Sequence, residues 1–344
     1  MMDLVPDDSK YMLHALALAR KAWGMTNPNP MVGAVLVRNG RIIGEGYHHR
    51  AGEAHAEVNA FLDAEQRGED TQDATLYVTL EPCSSYGRTP PCTERILNSG
   101  VRRVVIGCLD PNPKHNGKAV AILEAAGIAV TSGVEQKACY ELNKAFFCWI
   151  ATGKPWVILK MAVTLDGKTA TESGDSFWVT GEAARARVQQ LRQLSDAIMV
   201  GAETVRLDHP KLNVRIPADW QRQPLRIVAS SSMTDEELES YFPDGNAELA
   251  NPEKEGWEPF LRRLGERKIM ALLLEGGSEL AGSAIAANAV NHVEFHIAPK
   301  ILGGKGSRPA VGGANPLRMM DSLALENVNV CRYGDDVAIS GDLK

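Results

Sequence analysis

Residues 75–92 read TLYVTLEPCSSYGRTPPC, and this stretch decides how the first half of the chain is interpreted. Its first six residues are rich in Thr, Tyr and Val, which is typical of a strand. A loop follows, and Cys92 opens a predicted helix over residues 92–99. Cys83 therefore follows a strand end, and Cys92 stands at a helix N-terminus, where the helix dipole favours the thiolate that a metal ion requires.

Upstream of this stretch, residues 52–57 read GEAHAE and place a histidine and a glutamate at the start of a predicted helix. One His and two Cys supply three zinc ligands and leave a fourth position for water, as in catalytic zinc sites. An acid two residues from the His can move protons at that water without binding the metal. We therefore predict a zinc site with His55, Cys83 and Cys92 as ligands and Glu57 as the catalytic residue.

The segments around this motif alternate between predicted helices and strands. A hairpin is predicted over residues 32–46, because the Asn39-Gly40 pair separates two apolar runs. The strand-helix-strand order that follows predicts a partly parallel sheet flanked by helices. The pattern restarts after Gly153-Lys154-Pro155, so we predict an α/β protein of two domains, residues 1–149 and 150–344.

One stretch of the second half breaks this alternation. Residues 233–259 are acidic, contain the turn signal Pro243-Asp244-Gly245 and show few repeating apolar positions. We interpret this stretch as a surface excursion between elements of the second domain.

Composition restricts the class of protein. The chain has 344 residues, of which 44% are hydrophobic and 23% charged, and its formal net charge of -6 does not favour DNA, RNA or an anionic membrane as a partner. Its apolar runs are too short to span a bilayer, and the acidic start is unlike a signal peptide. Five of the six cysteines lie before residue 150, and a chain of this size argues against a disulfide framework. We expect a cytoplasmic protein.

The spacing of the two cysteines narrows the class of zinc site. A His-x-Glu motif followed by Pro-Cys is the signature of zinc nucleobase deaminases, in which two residues separate the cysteines. Here eight residues separate them. This pattern resembles the bifunctional riboflavin-biosynthesis deaminase/reductase family, whose deaminase half carries Pro-Cys-Ser-His-x-Gly-Arg/Lys-Thr-Pro-Pro-Cys. The resemblance extends to NPMVGA at 29–34, GYH at 46–48 and DPNP at 110–113.

The resemblance implies a cytidine-deaminase-like α/β/α sandwich for the first domain. It implies that Asn29, His48 and Arg88 hold a pyrimidine and its ribose phosphate, and a basic Arg88 suits a phosphate. Ser85 departs from the family, which usually has His there, and Ala119 replaces a usual Gly.

The second half resembles the reductase half of the same family, through LKMA at 159–162, TLDGK at 164–168 and TVRLDHPKLNVR at 204–215. The resemblance implies a dihydrofolate-reductase-like fold that binds NADPH. It implies that the substrate-facing residues are Ser176, Arg192, Leu212, Arg215 and Glu275. It implies that the cofactor-facing residues are Ala162, Trp178, Thr204, Asp208, Ser231, Gly276, Gly277, Ser278, Glu279, Leu280, Ala281 and Gly282.

The chemistry of the side chains in the second half also indicates which of them could contact the two ligands. Arg192 and Arg215 could grip a phosphate bidentately, and Trp178 could offer an aromatic wall. The Gly276-Gly277 pair follows a strand and opens a helix, which suits an anion, but the Rossmann fingerprint is absent.

The function that the resemblance implies is two consecutive reactions. The first is hydrolytic deamination of 2,5-diamino-6-ribosylamino-4(3H)-pyrimidinone 5′-phosphate, with one Zn²⁺ per chain. The second is NADPH-dependent reduction of 5-amino-6-(5-phosphoribosylamino)uracil to the ribityl product. A small-molecule pyrimidine ribonucleotide is the expected partner, and we expect a homo-oligomer.

Two alternatives stay open at this stage. One is a zinc deaminase of another nucleotide or of tRNA with a non-catalytic C-terminal domain. The other is a structural-zinc interaction module, which would need a fourth protein ligand.

Overall fold

The computed structural model describes residues 8–86, 90–113, 115–314 and 316–343. The chain divides into two compact units, Met1–Thr152 and Gly153–Lys344. The first unit runs three residues past the expected boundary at 149, because its last helix continues to Thr152. No helix within the described ranges is both long enough and apolar enough to cross a membrane.

The first unit is built on a five-stranded sheet in the order β2-β1-β3-β4-β5. The strands are β1 (Gly33–Arg38), β2 (Arg41–Tyr47), β3 (Thr75–Leu80), β4 (Arg103–Cys108) and β5 (Ala129–Ser132). The helices are α1 (Asp8–Ala19), α2 (Ala56–Gln66), α3 (Cys92–Leu97), α4 (Lys118–Ala125), α5 (Gln136–Leu142) and α6 (Lys144–Thr152), and a 3₁₀ turn covers Arg20–Ala22. Strand β1 is antiparallel to β2 and β3, whereas β3, β4 and β5 are parallel. The predicted hairpin and the partly parallel sheet are confirmed.

Helices cover both faces of this sheet. Leu36, Leu76 and Ile106 lie in one buried cluster with Phe61 of α2. On the other face, a side chain at Gly33 would overlap the backbone carbonyl of Ala15 in α1. Only glycine therefore allows α1 to approach β1 this closely. The arrangement is the expected α/β/α sandwich.

The second unit contains an eight-stranded sheet in the order β10-β9-β8-β11-β6-β12-β15-β14. The strands of the unit are β6 (Trp156–Thr164), β7 (Lys168–Ala170), β8 (Ala197–Gly201), β9 (Leu225–Ala229), β10 (Ala247–Ala250), β11 (Ala271–Glu275), β12 (His292–Ala298), β13 (Arg308–Pro309), β14 (Leu325–Tyr333) and β15 (Asp336–Leu343). The helices are α7 (Glu182–Leu194), α8 (Ala202–Asp208), α9 (Asp235–Tyr241), α10 (Pro252–Glu255), α11 (Trp257–Glu266) and α12 (Ser278–Ala286), and a 3₁₀ turn covers Met319–Asp321. The six strands from β10 to β12 are mutually parallel, and β15 is antiparallel to both of its neighbours.

Alternate residues of the central strand β6 enter two different cores, as the pleat requires. Leu159 and Met161 pack in the cluster that contains Phe260 of α11. Ile158 packs on the opposite face in the cluster that contains Leu191 of α7. The residues of β6 that share the face of Ile158 therefore lie under α7.

The interpretation of residues 233–259 as a surface excursion is wrong. This stretch contains α9, β10 and α10 and ends in the first turn of α11. Strand β10 pairs in parallel with β9 and forms one edge of the sheet, and Leu238, Phe242 and Trp257 are buried. Helix α9 has seven residues and β10 and α10 have four each, so none of these elements is long enough to show a clear helical or strand period.

Candidate active sites

Three elements of the first unit bring the predicted zinc ligands together. His55 is the residue before α2, Cys83 follows β3, and Cys92 opens α3. Their ligand atoms all lie within 4.8 Å of one another, and Nδ1 of His55 is 3.3 Å from Sγ of Cys92 and 3.5 Å from Sγ of Cys83. Across the described part of the chain, this cluster has no fourth His, Cys, Asp or Glu member. One nitrogen and two sulfur donors fit zinc with a position left for water.

The surroundings of the two thiols favour a thiolate. A hydrogen bond with the Cys92 thiol lowers the pKa of Cys83 to about 4, and His55 acts in the same direction. The backbone N–H of Cys92 also donates to Sγ of Cys83 over 3.1 Å. The same contact between the thiols, together with burial, raises the pKa of Cys92. Cys83 therefore carries the first negative charge offered to a metal ion.

Glu57 lies in the first turn of α2, and only 3% of its surface is exposed. Burial raises the pKa of its carboxyl group to about 7, and the negative charge of Cys83 adds to this effect. A carboxyl group with such a pKa can both accept and release a proton near neutral pH.

Asn29 and His48 lie beside this cluster. Nδ1 of His48 is 3.1 Å from the carbonyl oxygen of Ala54, so it donates there, and Nε2 accepts from the Asn29 side-chain amide over 3.0 Å. Burial lowers the pKa of His48, which favours the neutral ring that this hydrogen-bond pattern requires. The ring meets His55 edge-on, with 5.3 Å between the ring centres. Arg88, the third predicted substrate contact of this domain, lies outside the described residues.

Glu81 is a functional residue that sequence reasoning missed. Its buried carboxylate accepts hydrogen bonds from three backbone N–H groups, those of Asp110, Gly117 and Ala119, each at 3.0 Å. It thereby ties the segment after β4 and the start of α4 to the segment that carries Cys83. The available signal was an acid placed directly before Pro-Cys at a strand end.

The second unit contains a cavity of about 620 Å³ beside the carboxyl ends of its parallel strands, the usual binding edge of such sheets. All but two of the residues predicted for the second site line it. The predicted residues that line it are Ala162, Ser176, Trp178, Arg192, Thr204, Asp208, Leu212, Arg215, Ser231, Glu275, Gly276, Gly277, Ser278, Glu279 and Leu280.

Ala281 and Gly282 do not line the cavity. Ala281 is buried in the core beneath α12. A side chain at Gly282 would overlap the backbone of Gly312, so this glycine serves a close approach of two chain segments. Both residues lie on the side of α12 that faces the protein interior.

Arg192 does not present a free guanidinium for a phosphate. Its Nε and Nη2 atoms each donate to the Glu275 carboxylate over 2.7 Å, and Nη1 donates to the Asn213 carbonyl over 3.1 Å. Burial opposes ionisation of Glu275, but the ion pair outweighs it and lowers the pKa of that carboxyl group. The predicted bidentate grip by Arg192 is therefore directed at Glu275, which the sequence could not show because the two residues are 83 positions apart.

The loop after α8 orients Arg215 towards the cavity. Its backbone N–H donates to Oε1 of Gln189 over 2.7 Å, and its Nη1 atom donates to Oδ1 of Asn213 over 2.9 Å. Leu212 has a φ of 49°, an uncommon left-handed conformation for such a residue. The guanidinium of Arg215, which makes no ion pair in the described ranges, is the better placed of the two arginines to meet a phosphate.

Lys160 is the second residue that sequence reasoning missed. It lies on β6 between Leu159 and Met161, and it lines the cavity. Its ammonium group makes no hydrogen bond to any other residue that the structure describes. The signal was a lysine in the middle of an apolar strand.

Two family models match the chain. The description "Cytidine and deoxycytidylate deaminase zinc-binding region" matches residues 5–108, and "RibD C-terminal domain" matches residues 155–339. The chain is similar to the riboflavin biosynthesis protein RibD of Actinobacillus pleuropneumoniae, with 41% identity over 359 residues, which cover 96% of this chain and 94% of the relative. It is 40% identical to RibD of Escherichia coli over 328 residues, which cover 86% of this chain and 89% of the relative.

Solved structures agree with these relatives. A structure of Acinetobacter baumannii RibD superimposes with a TM-score of 0.87 at 35% identity and covers 98% of this chain and 99% of its own. The Thermotoga maritima diaminohydroxyphosphoribosylaminopyrimidine deaminase/5-amino-6-(5-phosphoribosylamino)uracil reductase gives a TM-score of 0.86 at 34% identity, with the same coverage.

These matches settle the alternatives left open by the sequence. The second half matches the RibD reductase domain, so a deaminase with a non-catalytic appendage is not favoured. A cytidine-deaminase-type zinc domain likewise does not favour a structural-zinc module. The enzyme therefore uses Zn²⁺ in its first domain and NADPH in its second. The chain belongs to the RibD family, the bifunctional deaminase/reductases of riboflavin biosynthesis.

Proposed function

We propose that the first unit deaminates 2,5-diamino-6-ribosylamino-4(3H)-pyrimidinone 5′-phosphate and that the second reduces 5-amino-6-(5-phosphoribosylamino)uracil with NADPH. The observation that carries the first assignment is the cluster of one imidazole and two thiols within 4.8 Å, with a buried carboxyl group in the same turn of helix. The Thermotoga maritima relative is named for these two activities.

Each residue of the first site has a distinct task in this proposal. His55, Cys83 and Cys92 hold the zinc ion, which when bound lowers the pKa of a water molecule to about 7. Glu57 moves the proton of that water to the leaving amino group, because burial keeps its carboxyl group near the midpoint of its titration. The Asn29 and His48 pair holds the pyrimidine, and Arg88 contacts its phosphate.

The second site binds two ligands side by side. Residues Ala162, Trp178, Thr204, Asp208, Ser231 and 276–280 bind NADPH, which when bound supplies the hydride. Ser176, Leu212, Arg215 and Glu275 face the nucleotide, and Arg192 holds Glu275 in place. Ser176 is itself fixed, because its hydroxyl donates to Oδ1 of Asp208 over 3.0 Å.

The proposal also covers the partners, the location and the oligomeric state of the enzyme. A small phosphorylated nucleotide is its substrate, and the net charge of -6 supports a protein without a nucleic-acid partner. We infer that it works in the cytoplasm as a homo-oligomer. Size-exclusion chromatography with light scattering tests the oligomeric state, and a single protomer mass would contradict it.

A coupled assay tests both activities on the proposed nucleotide. Ammonia release should precede NADPH oxidation, and Glu57→Gln should lower ammonia release at least about a hundredfold while zinc stays bound. Glu53→Gln is the matched control, because Glu53 is exposed four residues away. Unchanged ammonia release by zinc-loaded Glu57→Gln would refute the role of Glu57, and ammonia release from tRNA alone would refute the substrate.

A further inference from the structure

Three charged residues lie side by side across the centre of the second sheet. Lys160 on β6 pairs in register with Glu275 on β11 and with Glu294 on β12. Residues in register on neighbouring parallel strands point to the same face, so all three side chains lie on the face covered by α7. The sheet therefore carries a Glu–Lys–Glu row under one helix.

Helix α7 extends this row at both ends. Arg192 forms the bidentate ion pair with Glu275 described above. Arg187 forms a second one with Glu294, in which Nε and Nη2 each lie 3.0 Å from a carboxylate oxygen. Charges thus alternate in the order Arg192, Glu275, Lys160, Glu294, Arg187. An alternating order gives each buried charge an opposite neighbour, which offsets the cost of removing it from water.

Glu294 is held more firmly than an ordinary surface acid. Its side chain is only 4% exposed, and Nε2 of His296, which is fully buried, donates to Oε1 over 2.8 Å. The ring of Tyr333 on β14 covers His296, with 5.7 Å between the ring centres. Glu294 does not line the cavity, whereas its in-register neighbour Lys160 does.

Lys160 is the one member of the row that lacks a direct partner within the described residues and also faces the cavity. Burial lowers the pKa of its ammonium group, Glu275 and Glu294 oppose this effect, and Arg192 adds to it. Each of the two carboxylates is also paired with an arginine of α7, and both contribute counter-charge to Lys160, Glu275 more than Glu294.

We propose that Glu294, held by Arg187 and His296, is a positioning residue of the reductase site that keeps the Lys160 ammonium charged and available to a polar group of the bound nucleotide. The assignment of the nucleotide rests on the proposed function, whereas the coupling between Glu294 and Lys160 does not. Three side chains outside the cavity thereby set the charge of one inside it.

The ionisation of Lys160 can be measured directly in the intact enzyme. Protein labelled with ¹³C at the lysine Cε atoms is titrated by NMR, and the Lys160 signal is assigned by its loss in Lys160→Met. Glu294→Gln should lower the titration midpoint by about one pH unit, because one of two neighbouring carboxylates is lost. Arg187→Gln should raise the midpoint, because Glu294 then loses its competing cation.

The opposite signs separate this proposal from a purely structural role. Asp342→Asn is the matched control. Asp342 also pairs with a histidine, with 2.7 Å between its Oδ1 atom and Nδ1 of His292, but it lies outside the row. It should leave the midpoint unchanged. An unchanged midpoint in Glu294→Gln, or shifts of equal sign in the two variants, would overturn the proposal. Should Glu294→Gln fail to fold, the sign of the Arg187→Gln shift decides, and no rise would overturn it.

Activity gives a second measurement with its own internal control. The alkaline limb of the reductase kcat/KM profile should move with the Lys160 midpoint, while ammonia release by the other unit stays constant. A wild-type enzyme that does not oxidise NADPH with the proposed nucleotide would refute the proposed function of the cavity. The NMR titration would still decide whether Glu294 controls Lys160.

Discussion

Replacing Glu81 by glutamine should strongly destabilise the first unit. The carboxylate accepts three backbone N–H groups, two at Oε2 and one at Oε1. A glutamine has one acceptor oxygen, and its NH₂ group must face the remaining backbone donors. The substitution therefore removes both the charge and one complete hydrogen bond.

The magnitude follows from these three bonds. If the amide oxygen takes the Oε2 position, two bonds survive but lose their charge assistance, which costs about 1 kcal/mol each. The N–H of Ala119 is then buried without an acceptor, which costs about 1–3 kcal/mol more. We expect a loss of about 3–5 kcal/mol in the free energy of unfolding, a large part of the stability of a typical domain.

Urea unfolding of the zinc-loaded protein measures this loss. Zinc release, followed with a colorimetric indicator, reports the first unit separately from the second, so a single two-state transition for the whole chain need not be assumed. Glu124→Gln is the matched control, because Glu124 lies exposed on α4, the helix whose start Glu81 binds. It should stay within about 0.5 kcal/mol of wild type. A Glu81→Gln protein equally close to wild type would refute the reasoning.

Three further predictions concern acid stability, metal removal and packing. Burial opposes ionisation of Glu294, but hydrogen bonds from His296 and Arg187 lower its pKa to about 2 from an ordinary 4.5. These contacts of the carboxylate therefore stabilise the fold by about 3 kcal/mol above about pH 5 and progressively less as the pH falls towards 2. The stability gap between wild type and Glu294→Gln in urea should therefore be about 2 kcal/mol smaller at about pH 3 than at about pH 6, and a gap independent of pH would contradict this. Removing zinc with dipicolinate should abolish ammonia release but leave NADPH oxidation with the second substrate intact. Zn²⁺ but not Mg²⁺ should restore ammonia release, because thiolate ligands select zinc. Gly33→Ala should cost about 3 kcal/mol or more in thermal or urea unfolding, because its methyl group would overlap the backbone of α1. Gly201→Ala, which meets nothing within 4 Å, is the control, and equal stability of the two variants would show that α1 can shift.

The zinc site was predictable because its information is local. His55 and Glu57 are two residues apart, and Cys83 and Cys92 flank one loop between a strand and a helix. Each half of the site is therefore visible in a short stretch of sequence, whereas the approach of His55 to Cys83, 28 positions away, is seen only in the folded chain. The hairpin at Asn39-Gly40 was predictable for the same reason, since both residues have the positive φ that a tight turn demands.

Pairings between distant segments could not be predicted. The chemistry of Arg192 predicts a phosphate contact, but its guanidinium forms a bidentate ion pair with the Glu275 carboxylate. Glu81 looked like part of a motif, and only the folded chain shows the three backbone donors that it binds. The strand β10 (Ala247–Ala250) was missed because four residues at a sheet edge carry too weak a pattern, and its position depends on β9.

The ion pair between Arg187 and Glu294 bears on how the chain can change by mutation. Replacing Glu294 alone leaves the partly buried guanidinium of Arg187 without its carboxylate, and replacing Arg187 alone leaves an acid that is 4% exposed with only His296 beside it. Each single change costs more than the loss of both, because the partner left behind is a buried unpaired charge. The intermediate sequences are therefore selected against, and we expect the pair to be inherited as a unit, with relatives that carry both residues or neither.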